Sequence, residues 1–457
     1  MKHSYILIIF LVTAFAISCG KKLDLQPKQT IDAATIFSTE ADVEAAIVGG
    51  YSLMGSGAIY GTSYLLNSDL LGSEDYCSWR GTFSSQRQIA SKTMNRNNGE
   101  AALMWSTAYR AINAANTVLS VLNIVTDVDK KNQLEGEALF IRGILHFDLV
   151  RFFAKPWGST VNNDHPGVVI KTTPTKTEEE AFLRIPRNTV AQVYTQVIND
   201  LIAAANKLPE DNGTRADKYT ALAMLSRVYL QKGDYANARD AADAVINSDL
   251  YKMNASVSTV FDNKNTAESI WEIQQNEQNN AGTANNGMAT FYASLPGIGR
   301  ADVRMDLGFV DSYDNNDLRK ILWYYVGTGA RPGNTYCGKW KSFSQNIPII
   351  RIAEMYLNRA ECNIRLGTSV GATPEEDLEK IRNPLRTNLP VIVAPTLNDV
   401  LVERFFELAF EGARIHDIRR LKGSTGSFAW DSDRLVFPIP QIEVDATGGV
   451  IAQNPGY

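Results

Sequence analysis

Histidine and cysteine are scarce, with four of each among 457 residues. No Cys-x-x-Cys pair and no His-Glu-x-x-His run exists, which removes the usual zinc sites. Gly-x-Ser-x-Gly and phosphate-loop patterns are also missing, so neither a hydrolase elbow nor a nucleotide cradle has its residues. His146, His165 and His416 are the histidines of the body, two of them in predicted helices, and they read as packed or surface side chains rather than bases. Beyond Cys19 only Cys77, Cys337 and Cys362 remain. Cys362 falls in a helical pattern and reads as a small core residue, while a Cys77–Cys337 bridge stays open with no spacing rule behind it. Lysine and arginine form no cluster along the chain and the net charge is −5, so nucleic acid is not an expected partner. No run beyond Ile17 approaches the roughly 18 apolar residues of a membrane-spanning helix.

What is present suffices for a core: 44% of residues are hydrophobic and 21% charged. Residues 1–18 read as an export signal, with Lys2 before the apolar run Ile6 to Ile17. Ala16-Ile17-Ser18 directly before Cys19 has the form of a bacterial lipobox, which makes Cys19 the lipidated N-terminus. Residues 19–30 then form a polar linker, and 31–457 a single domain tethered by its lipid.

Helical periodicity dominates that domain. Helices are expected over Glu40–Leu53, Glu100–Val125, Gln133–Phe153, Asn188–Leu208, Asp217–Gln231, 234–248, Ile349–Leu366 and Glu375–Arg382. Gly233-Asp234-Tyr235 followed by Ala238 and Ala242 resembles the turn of a tetratricopeptide (TPR) unit. The fold expected is therefore mainly α, with about four TPR-like hairpins spread over 100–153, 188–248 and 349–423. Two irregular stretches interrupt them, 55–98 and 256–348. The second contains the strand-like runs Ser269–Ile273 and Ile321–Val326. Together they read as an inserted lobe of loops and short strands that carries the ligand.

Leu401 to Leu421 reads as one long helix, started by Asn398 or Asp399 and stopped at Gly423. Its charges are interleaved with large apolar residues, so a buried charged network is expected from Glu407, Glu411 and Arg414, with Glu411 one turn from Arg414. Arg351 and Glu361, on the Ile349–Leu366 helix, are assigned to the same structural network.

The run Glu403-Arg-x-x-Glu-Leu-Ala-Phe-Glu-Gly-x-Arg-x-x-Asp-Ile-Arg-Arg420 resembles the hallmark helix of the SusD/RagB family of outer-membrane lipoproteins. Phe437-Pro-Ile-Pro-Gln-Ile-Glu443 and Gln453-Asn-Pro-Gly-Tyr457 look like that family's terminal signature, and Leu23–Pro27 and the Arg142 helix are similar to its other segments. The resemblance implies a surface-exposed, lipid-anchored protein of the outer membrane. It would bind glycans or other nutrients and deliver them to a SusC-like TonB-dependent transporter, without catalysis.

Sugar rings pack their C–H faces on flat aromatics and need polar groups at the rim. Two loop clusters supply both kinds: Asp75, Tyr76, Trp79 and Arg80, with Asn97 beyond; and Phe291, Tyr292 and Arg300, joined by Tyr324 and Tyr336. These are the candidate ligand residues. Trp323 and Trp340 read as core. Carboxylate pairs such as Glu407 and Glu411 lie among arginines and read as neutralised structural pairs rather than a glycosidase couple. Asp311, Asp314, Asn315, Asn316 and Asp317 offer oxygens to calcium, but lack the glycine and distal glutamate of an EF-hand, and such clusters more often cap a helix. No other cofactor is expected. The alternative function is a TPR adaptor or receptor for peptides or other nutrients, which predicts a concave groove lined by helix residues.

Overall fold

In this computed structural model residues 37–181 and 183–457 are described, so the signal peptide, Cys19, the 19–30 linker and Leu23–Pro27 lie outside it. Thr39 and Asp42 close a capping box on α1 (Glu40–Met54), whose Val43, Ile47 and Met54 form its buried face. Helix α2 (Ser63–Leu71) is buried on every side, and β1 (Cys77–Trp79) follows it. Asn98 caps α3 (Gly99–Ser120) and Asp127 caps α4 (Val128–Phe153). Next come α5 (Val190–Lys207), α6 (Lys218–Lys232) and α7 (Tyr235–Ile246). Gly233 ends α6 in the left-handed conformation, at φ +76°, and Asp234 caps α7 directly after it. This is the TPR-like turn.

The insertion then holds β2 (Ser269–Ile273), β3 (Val303–Met305), β4 (Tyr324–Val326), β5 (Thr335–Cys337) and β6 (Ile347–Arg351). The chain returns to helices with α8 (Ile352–Leu366), α9 (Pro374–Ile381), α10 (Leu397–Glu407) and α11 (Arg414–Arg420). Hairpins α3–α4 and α5–α6, α7 against α8, and α9 beside α10 make the expected helical scaffold. At Gly136 the α4 backbone passes so close to Leu208 that a Cβ would meet Leu208 Cγ at 2.7 Å. Arg142 fastens α4 to α5 by a two-point pair with Asp200, at 2.9 and 2.6 Å.

Each strand pairs with only one other, always antiparallel: β1 with β3, β2 with β6, β4 with β5. The β2–β6 pair closes the base of the insertion. Three local expectations are corrected. The 55–98 stretch is not simply irregular, since it contains α2 and a second helix, Ser84–Ala90. Ile321–Val326 is a strand only from Tyr324 onward, because Asp317 accepts from the Arg319 backbone N–H and starts a helix, Leu318–Trp323. Capping, together with its ion pair to Arg319, is the use the structure gives Asp317. Cys77, Cys337 and Cys362 are free and buried.

The third correction is the long C-terminal helix. It starts at Thr396, whose hydroxyl caps it with Asp399 in return, and it breaks after Glu407. Phe410 (φ +62°) and Gly412 (φ +81°) turn the chain back against α2. A Cβ on Gly412 would stand 2.9 Å from Leu65 Cα, so two backbones touch there. The turn carries Glu411 away from Arg414 and towards Arg351 and Lys339, at 2.8 and 2.7 Å. Arg414 instead lies over the Phe405 ring at 4.4 Å and donates to the Gly72 carbonyl.

A charged network fills the space between lobe and scaffold. Glu407 accepts from Arg351, Arg386 and Arg319. Burial alone would raise its carboxyl, yet Arg386 and Arg351 hold it well below the ordinary carboxylate range. Glu268, Glu403 and Asp317 complete the acidic side. Glu361 belongs to a separate group, with Arg420 at 2.6 Å and Arg365 at 2.8 Å.

Candidate functional site

The two candidate loops meet through β1 and β3. Trp79 lies opposite Val303, and the next residue extends the ladder, its N–H donating to the Asp302 carbonyl at 2.6 Å. This register brings Trp79 and Phe83 from one loop against Phe291, Arg300 and Asp302 from the other, while the Arg80 side chain turns to the opposite face of the ladder, where its Nε donates to the Ser78 hydroxyl at 3.2 Å. Ring centroids of Trp79 and Phe83 lie 5.6 and 5.9 Å from that of Phe291. Phe291 is fully buried, while Trp79 and Phe83 are partly exposed, so the inner ring supports two outer ones.

Polar groups edge this platform. Arg300 donates to Asp302 at 2.8 Å and to the Thr82 hydroxyl at 3.0 Å, with its guanidinium 4.4 Å above the Phe83 ring. Gly81 lies across both: a Cβ there would be 2.5 Å from Trp79 Cζ2 and 2.7 Å from Asp302 Cγ. Burial raises the Asp302 carboxyl, opposed by Arg300 and Arg331. Trp79 Nε1 and Asp302 Oδ1, a donor and an acceptor, are both buried and have no hydrogen-bond partner among the described residues. Asp302 Oδ1 does have Arg331 at 3.7 Å. What reaches the surface is the partly exposed face of Trp79 and Phe83, which can receive the C–H face of a sugar.

The other candidates sit elsewhere. Tyr76, Tyr292, Tyr324 and Tyr336 are buried rather than presented at a surface. Each hydroxyl is committed: Tyr76 accepts from the Phe410 N–H, Tyr292 donates to Asp69, Tyr324 meets Tyr313, and Tyr336 donates to the Arg331 carbonyl. For three of them the physical reason is the broken helix, whose Phe410 lies 4.3, 6.0 and 6.2 Å from the rings of Tyr76, Tyr292 and Tyr324; Tyr336 packs instead beside Tyr325 on the β4–β5 pair. Asp75 is exposed in a turn at φ +54°, and Asn97 is exposed beside the α3 cap. No hydrogen bond or ion pair joins either to the platform among the described residues. Phe83, Thr82, Asp302 and Arg331 were absent from the sequence-derived candidates. The only cue to Asp302 was its place just before a strand and two residues after Arg300.

Of the histidines, His146 is buried with its pKa pushed down to about 4. Burial and then Arg151 and Arg419 keep His416 neutral. Among the described residues no helix is long and apolar enough to cross a membrane, and no group of His, Cys, Asp and Glu could hold a metal ion.

A family model described as "Starch-binding associating with outer membrane" matches residues 23–230, and the model of the SusD family matches residues 324–436. Together they span more than two thirds of the chain. SusD-like protein P2 of Formosa agariphila is 26% identical over 524 residues, covering 100% of each chain. A SusD superfamily protein of Bacteroides thetaiotaomicron superposes with TM-score 0.82 at 26% identity, covering 91% of this chain and 100% of its own. A proposed sugar-binding protein of Bacteroides vulgatus does so with TM-score 0.81 at 26% identity, over 92% and 99%.

Proposed function

Because the chain belongs to the SusD/RagB family, we propose that it binds oligo- or polysaccharides on the cell surface and passes them to a SusC-like TonB-dependent transporter. Cys19 is its lipid anchor to the outer membrane. The observation that carries the binding half of this reading is the partly exposed pair of rings, Trp79 and Phe83, seated on the buried Phe291 with Arg300 at their edge. The starch-binding description of the matched family agrees with it. We read the protein as non-catalytic. The carboxylates Glu407 and Glu411 are bound to arginines and a lysine, which leaves neither free to move protons at a glycosidic bond.

One observation favours the rival reading, a receptor for peptides or other nutrients. A groove of about 600 Å³ runs between α3 and the C-terminal segment, lined by Trp105, Tyr109, Arg110, Asn113 and Glu443. The test is titration of a form lacking residues 1–19 against a panel of glycans and a panel of peptides. Glycan binding that disappears in Trp79→Ala supports our reading. Peptide binding that disappears in Arg110→Ala supports the rival. Co-purification with a transporter from outer membranes tests the delivery step.

A further inference from the structure

We propose that a small cavity at the end of α4, walled by α6 and α11, binds one monovalent inorganic anion, chloride. Its wall takes Arg151 and Lys155 from the end of α4 and the turn after it, Gln231 from α6, and His416, Arg419 and Arg420 from α11. No aspartate or glutamate lines it among the described residues. The enclosed space suits about one water-sized particle. Of the four cations, Lys155 reaches furthest into solvent, its side chain 35% exposed. The cavity shares no residue with the Trp79 platform, so this inference stands apart from the glycan reading.

Three guanidinium nitrogens of this wall, Arg151 Nε, Arg419 Nε and Arg420 Nη2, are buried and make no hydrogen bond among the described residues. Buried donors are nearly always satisfied, so three on one cavity call for a shared acceptor. The remaining nitrogens are committed. Arg419 gives Nη1 and Nη2 to the Arg151 and Leu435 carbonyls. Arg151 pairs with Asp148, Arg420 with Asp417 and Glu361, and Lys155 with Asp433. Arg419 is only 2% exposed and has no carboxylate within ion-pair distance among the described residues. Carbonyl dipoles offset such a buried charge only in part. Burial, and then Arg151, push the Arg419 pKa from 12.5 down to about 10, which leaves it a cation at neutral pH. Burial and the same two arginines keep His416 neutral, so the potential in this region is positive. A halide accepts several N–H donors at once from any direction and adds the missing negative charge. A carboxylate or phosphate is too large for a space of one water-sized particle.

Two measurements on the purified protein test this. Urea midpoints are read while chloride replaces gluconate, an anion too large for the cavity, at constant ionic strength. The midpoint should rise with chloride and level off, as binding to the folded state alone requires. Crystals soaked in bromide should show an anomalous peak within hydrogen-bonding reach of Arg151 Nε, Arg419 Nε and Arg420 Nη2. Arg419→Gln, which keeps a donor but removes the charge, should abolish the chloride dependence. Lys155→Met, a change at a partly exposed side chain, should weaken the apparent chloride affinity by about two- to fivefold, and it keeps the test decisive if Arg419→Gln does not fold. Equal midpoints in chloride and gluconate overturn the proposal, whether the crystal shows a water in the cavity or a bromide bound at crystal concentration only. A chloride dependence unchanged in Lys155→Met and in folded Arg419→Gln places the ion elsewhere and overturns it too.

Discussion

Arg351 and Glu411 form a two-point pair, with the guanidinium Nε and Nη2 each 2.8 Å from a carboxylate oxygen. Arg351 stands where β6 gives way to α8, and Glu411 sits in the turn between α10 and α11. The pair therefore ties the root of the inserted lobe to the last helices of the scaffold.

Breaking that pair from one side strands a buried charge. Glu411→Ala removes a partner of both Arg351 and Lys339, which are otherwise held by Glu268, Glu407 and carbonyl oxygens. The expected loss is about 3–5 kcal/mol of unfolding free energy. Urea denaturation measures it, and a loss below about 1 kcal/mol would show that the network is dispensable.

The backbone turn makes a second prediction. Gly412→Ala places a Cβ against Leu65 at φ +81° and should cost about 1–3 kcal/mol. Gly423→Ala is the control, because its Cβ would meet nothing closer than 3.6 Å. Equal thermal midpoints for the two variants contradict the account.

This turn also marks where the sequence stopped being informative. The apolar stripe of Leu401–Leu421 continues in helical register, and nothing local tells that Leu65, far back in the chain, will meet Gly412. Ser269–Ile273 was legible because a short run rich in isoleucine and tryptophan is a local property. The same holds for the turn at Gly233. The tyrosines failed for the opposite reason: among glycines in a loop, a buried ring and an exposed platform have the same sequence pattern. Arg319, Arg386, Lys339 and Glu268 went unnoticed because the network assembles from separate segments, each carrying an ordinary charge. At the candidate site, Trp79 and Arg300, both named from composition, are brought together by the fold, whereas the Arg80 side chain lies on the other face of the ladder. Asp302 needed the β1–β3 register.

Titration of Asp69 gives a pH dependence. Burial pushes its carboxyl up to about 7 from 3.8, against the Tyr292 hydroxyl, Lys339 and Arg414, which pull it down. The folded state thus holds a proton that the unfolded state releases. The stability this contributes is fully present below about pH 4 and is lost as pH rises towards 7. Asp69→Asn should flatten the stability profile across that window, read from urea midpoints. An unchanged slope would place the titration elsewhere.

Tyr292→Phe separates packing from binding. The hydroxyl donates to Asp69 at 2.7 Å inside the core, so its loss should cost about 0.5–1.5 kcal/mol of stability. Ligand affinity should stay at the wild-type value in calorimetry. A selective loss of affinity in this variant would return Tyr292 to the ligand site.

The most direct test of the central claim is calorimetric titration of wild type and Trp79→Ala with whichever glycan the wild type binds. The account predicts that the variant, folded by circular dichroism, loses about 1–3 kcal/mol of binding free energy, the range expected when an aromatic anchor is removed. Undiminished binding by Trp79→Ala would contradict it and move the ligand away from the β1–β3 face.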